Sequence, residues 1–145
     1  METGKLCPSA QPDQPGAQII GVAEPREGGA RIRLLAAPVP PASVAHLIPA
    51  GIPVPEILRL AAPCAEQSCR HFQNERCALG ARVATRLAPL TDRLVRCAIR
   101  PRCRWWAEQG AAACRRCPHI VTEPFQASDL LREIAGPGAA PPISP

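Results

Sequence analysis

The sequence predicts a mainly α, small cysteine-rich domain stapled by metal, with a short N-terminal β-hairpin and disordered, proline-rich termini. Three observations lead there. The 145-residue chain has only two Phe, two Trp and no Tyr, so its core is thin. Seven of its eight cysteines lie between Cys64 and Cys117, a density of 13% over those 54 residues. The 19 prolines avoid the same stretch, where only Pro89 and Pro101 occur. Small domains with thin cores rely on disulfides, metal or oligomerisation, and the cysteines are the obvious staple.

Residues 1–16 read as a disordered arm, with Cys7 set aside as a free thiol. The unit 17–62 opens with "AQIIGVA" and "ARIRLL" around a glycine-containing loop, and Arg31, Ile32, Arg33 and Leu34 alternate as a half-buried strand does. Prolines punctuate 38–55, with one helical turn expected around Val44–Leu47. "PEILRLAA" suits a short helix with Pro55 at its first position.

The cysteine-rich module, 63–122, reads as helical. Leu79, Val83 and Leu87 recur at four-residue spacing before Pro89. Leu90, Leu94 and Cys97 fall near one helical face, with Thr91 as cap. "PRCRWWAEQG" starts at Pro101 and stops at Gly110. A C-terminal helix is expected within 123–136, capped by Ser128 and Gly136, and 137–145 is a disordered tail.

Charge is concentrated in the module. Residues 64–122 carry eleven arginines against Glu66, Glu75, Asp92 and Glu108, a balance of +7, and Lys5 is the chain's lone lysine. Such a field points to an anionic partner. The start has no apolar run of signal-peptide length, and no stretch reaches the ~18 apolar residues of a membrane helix. No membrane association and a cytoplasmic location are therefore expected, where structural disulfides are rare.

The spacing is C-x4-C-x7-C at Cys64, Cys69 and Cys77, then C-x5-C-x10-C-x2-C at Cys97, Cys103, Cys114 and Cys117. Seven is odd, which disfavours disulfides in a cytosolic setting. Zinc wants four ligands on short knuckles, and Cys64, Cys69, Cys114 and Cys117 could close one such site. An iron–sulfur cluster is bulkier than a zinc ion, takes thiolates, and accepts them from separate loops at irregular spacings. Pro118 directly after Cys117 resembles the end of the ligand run in bacterial ferredoxins. The later four cysteines make a complete set. The earlier three would be joined by His71 or leave a position open, and one site mixing both groups is equally consistent with the spacing. His119 is a further candidate ligand.

Trp105 and Trp106 read as core that could also shield a cluster. Arg100, Arg102, Arg104, Arg115 and Arg116 read as a solvated face or an anion-binding patch. No phosphate loop, paired-His motif or nucleophile elbow is present, so no enzyme is expected. The cysteine string has the look of a bacterial cysteine-rich module. The sequence thus predicts a small iron–sulfur protein, of the [4Fe–4S] type, in electron transfer or redox sensing with an acidic redox partner. The alternative is a zinc-stabilised module binding nucleic acid or an acidic protein.

Overall fold

A computed structural model of the chain describes residues 4–26, 29–89, 92–119 and Ile134. The fold is mixed α/β rather than mainly α, because strands claim the first half. The order is β1 (Leu6–Cys7), β2 (Gln18–Arg26), β3 (Gly29–Val39), α1 (Val54–Ile57), β4 (Leu58–Pro63), β5 (Phe72–Gln73) and β6 (Arg76–Cys77). Then come α2 (Ala78–Arg86), α3 (Arg104–Gln109) and α4 (Ala111–Cys114), with 3-10 turns between and after them.

The hairpin of β2 and β3 is longer than the alternation suggests, pairing Val22 with Arg33 and Ala23 with Ile32. It belongs to a four-stranded antiparallel sheet of order β1-β4-β2-β3. The expected helix over 55–62 gives way at Leu58 to β4, which runs between β1 and β2. Tertiary pairing overrides the local signal here: Arg59, Leu60, Ala61 and Ala62 are all buried because both faces of this strand are covered.

Those faces build two cores. Ile19, Leu60 and Ala62 pack with Ala10, walled by Val39, Val44 and Val54. Ile20 and Ala61 face the other way, onto Val83, Leu87, Ile99, Trp105, Ala113 and Ile134. The proline-rich arm is therefore not disordered over its described part. Ala10 is fully buried and its N–H donates to the Leu60 carbonyl at 3.0 Å. The tail 137–145 and the helix expected within 123–136 lie outside the described residues, except for Ile134, which is helical and buried.

On the helical side, Gly80, Val83 and Ala84 form the buried face of α2. A Cβ on Gly80 would meet Trp105 Cδ1 at 2.7 Å, so glycine here admits the indole against the helix backbone. Gly110 adopts φ +65°, which turns the chain from α3 into α4. The expected helix through Leu94 and Cys97 is absent among the described residues 92–99. There Leu94 stands exposed and the Val95 carbonyl accepts from the Arg100 guanidinium instead of a helical amide.

The metal-stapled expectation also needs correcting. Among the described residues no group of three or more His, Cys, Asp or Glu side chains is arranged to hold a metal ion. The sheet and the two apolar cores account for the described fold. No helix among these residues is long and apolar enough to cross a membrane.

Candidate functional site

All eight cysteines are free thiols. The late four, Cys97, Cys103, Cys114 and Cys117, line one cavity together, and the early four, Cys7, Cys64, Cys69 and Cys77, are not among its lining residues.

The late group forms where helices begin and end. Cys103 is the N-cap residue of α3, Cys114 the last residue of α4, and Cys117 opens the following 3-10 turn. Cys97 enters from the irregular segment before them. All four line one small cavity with Trp105, and the surface it exposes is apolar. Burial pushes the Cys103 thiol up to about 12, and neighbouring Cys117 and Cys114 add to this. Burial likewise raises Cys114, while Arg100 opposes the rise through a hydrogen bond and its charge.

Arg59 reaches this group from β4. It is fully buried and donates to the Pro8 carbonyl, to the Cys117 carbonyl at 3.0 Å and to Cys117 Sγ at 2.9 Å. Its guanidinium also lies 5.6 Å from the Trp105 ring centre. Burying a cation is costly unless its donors are met, and a sulfur bearing negative charge meets them best.

The early group forms where strands meet loops. Cys7 ends β1, opposite Ala62, and the Cys64 N–H donates to the Lys5 carbonyl at 2.9 Å. Cys77 ends β6, pairs with Phe72 and caps α2, its Sγ accepting from the Gly80 N–H at 3.4 Å. Cys69 Sγ accepts from the His71 N–H at 3.4 Å. Burial pushes Cys7 up to about 12, and the charges of Cys77, Cys64 and Cys69 act on it in the same direction. Burial is also the main cause raising Cys77. Cys7 is thus not the isolated thiol that its place in the arm suggests.

Arg104 holds the early group together. Only 6% exposed, it donates to Glu108 Oε2 at 2.9 Å and Glu66 Oε2 at 2.7 Å, and lies 5.0 Å from the Phe72 ring centre. Glu108 Oε1 in turn accepts the Cys77 N–H at 2.8 Å. The Cys64 thiol also stands beside Arg104, favouring its charged form.

The expected arginine patch is partly turned inward. Arg104 is buried, Arg100 stacks 5.6 Å from the Trp106 ring centre, and Arg116 donates to the Leu87 and Ala112 carbonyls. Arg102 is exposed and Arg115 half-buried. His71 is held by Arg82, with Nη2 3.1 Å from Nδ1. Burial, then the Arg70 and Arg82 charges, lower it to about 4, so it is neutral near pH 7. The His119 side chain lies outside the described residues.

Sequence reasoning missed Cys7, Arg59 and the Glu108 bridge. A signal existed for Arg59: one arginine inside the apolar run "ILRLAA" is out of place unless it has a buried task. Comparison with protein families, curated proteins and solved structures finds no match to this chain.

Proposed function

We propose that the protein is a non-enzymatic iron–sulfur protein whose late cysteines, Cys97, Cys103, Cys114 and Cys117, hold a [4Fe–4S]-type cluster used in electron transfer or redox sensing. One observation carries this reading: four cysteines line a single apolar cavity, and a fully buried arginine donates to the sulfur of one of them, Cys117. Four thiolates are the usual ligand set of such a cluster, and hydrogen bonds to the sulfurs, together with burial, tune its potential. A thiolate-bound cluster would carry net negative charge, which Arg59 at Cys117 and Arg100 beside Cys114 would offset. No three of these side chains close on a single ion among the described residues, which suits a cluster better than one zinc ion, whose sulfurs must all come within about 2.3 Å of a single centre.

A cluster held by Cys97, Cys103, Cys114 and Cys117 would supply reversible one-electron transfer between a reduced and an oxidised partner. The +7 segment would steer an acidic redox protein toward it.

The experiment is a visible spectrum of the full chain isolated without oxygen. The expected result is a brown protein whose absorption bleaches on reduction and returns on reoxidation. A colourless, zinc-loaded protein that binds nucleic acid tightly, with affinity falling steeply in salt, would establish the alternative.

A further inference from the structure

We propose that Cys7, Cys64, Cys69 and Cys77 form a second thiolate site for a [4Fe–4S] cluster, so that the chain carries two. This rests on the iron–sulfur reading of the late group and extends it to a site with a different construction.

The geometry begins with the backbone. Pairing of β1 with β4 sets Cys7 opposite Ala62, and the Lys5 carbonyl holds the N–H of Cys64 at 2.9 Å. Two thiols far apart in sequence thereby reach one end of the sheet. The bridge from Leu6 to Cys103 lays that end against the start of α3, immediately before Arg104. Arg104 binds Glu66, between Cys64 and Cys69, and Glu108, which holds the Cys77 N–H. Phe72 packs under the same guanidinium and pairs with Cys77. The four cysteine-bearing segments therefore converge around one buried cation.

A second observation points to a missing acceptor. The indole N–H of Trp105 is buried without a hydrogen-bond partner of normal geometry. Trp105 is 2% exposed, and its pyrrole edge rests on Gly80, whose own N–H donates to Cys77 Sγ. Arg104 Nε is likewise buried and unpartnered. Buried donors of this kind need an explanation, and sulfur made anionic by iron supplies an acceptor.

His71 does not supply the fourth ligand. Its Nδ1 is engaged by Arg82, and Cys7 provides a fourth thiol without it. Among the described residues no three such side chains close on one ion. A cluster, which holds its thiolates farther apart, suits that arrangement. The binding step balances as ligand exchange. Four protein thiols replace four small thiolates on a preformed cluster, each proton passes to the departing thiolate, and no electron moves.

The test titrates the metal-free, reduced full chain, without oxygen, with a [4Fe–4S] complex of a small thiol. The unaltered chain should take up two equivalents, and Cys7→Ser and Cys117→Ser about half as much each. Cys64→Ser serves as a second early-group variant and should match Cys7→Ser. Uptake of one equivalent, lost in Cys117→Ser and unchanged in Cys7→Ser and Cys64→Ser, overturns the second site and leaves the first standing. No uptake by the unaltered chain overturns both. Spin counting on the reduced, unaltered chain checks the result without mutation: two spins are expected, and one contradicts the proposal.

Discussion

The two cysteine groups present the same four side chains on opposite kinds of scaffold. The late group hangs on helix ends and turns within 97–117, a stretch short enough for local spacing to set its geometry. The early group depends on a two-residue edge strand, a long-range sheet register and an ion-paired arginine. Their charge compensation differs as well. Arg59 donates to a sulfur at 2.9 Å, that of Cys117, whereas Arg104 is held by two carboxylates with the Cys64 thiol beside it. The comparison teaches that a set of cysteines can be placed by helix geometry or by sheet topology, and that the second leaves little trace in spacing.

Trp105 is the wall both groups share, so removing it should blur the difference most. Trp105→Ala deletes a side chain that is 2% exposed and packs on Gly80. A loss of about 3–5 kcal/mol is expected, with both sites weakened together. Urea unfolding of the metal-free, reduced protein measures it, and a loss below about 1 kcal/mol would show that the indole is not a shared wall.

Two substitutions should separate the groups. Glu108→Ala frees the Cys77 N–H and leaves Arg104 with the half-exposed Glu66. We expect a cost of about 2–3 kcal/mol and weaker metal uptake by the early group alone. Arg59→Met removes the donor to Cys117 Sγ and should cost about 1.5–3 kcal/mol. It should also lower the reduction potential of the late cluster, because a positive hydrogen-bond donor at a ligand sulfur favours the reduced state. Equal shifts of both clusters in either variant would erase the distinction drawn here.

A smaller and more gradual effect follows from pH. Burial raises Cys7 and Cys103, one from each group, from near 9 to about 12. Between those values the unfolded chain binds fewer protons than the native one, so stability falls as pH rises. The metal-free, reduced protein should hold its stability up to about pH 9 and lose it progressively above. Denaturation midpoints across that range measure it. Cys7→Ser and Cys103→Ser should each flatten the slope, and a flat profile in the parent chain would contradict the burial of these thiols.

Much of the late half was legible in the sequence, because its signals are local. The four-residue spacing of Leu79, Val83 and Leu87 found α2, and Pro101 with Gly110 bracketed the helical stretch that contains α3. The alternation of Arg31, Ile32 and Arg33 found the hairpin. The strand β4 was hidden because both of its faces are covered, so "LRLAAP" shows no alternation, and Pro55 is the second residue, not the first, of a helix that stops at Ile57. The segment 92–99 carried a helical pattern, yet Arg100 takes a carbonyl that a helix would need. Cys7 could not be read at all. Its neighbours are set by register between β1 and β4, and a two-residue strand inside a proline-rich arm has no periodicity to detect.

The central claim, that these thiols serve iron–sulfur chemistry in two separate groups, is tested most directly by iron and acid-labile sulfide per chain after isolation without oxygen. With about four of each per set of four cysteines, the account predicts roughly eight iron and eight sulfide. About four of each would leave one cluster and remove the second. Zinc without sulfide would contradict the account as a whole.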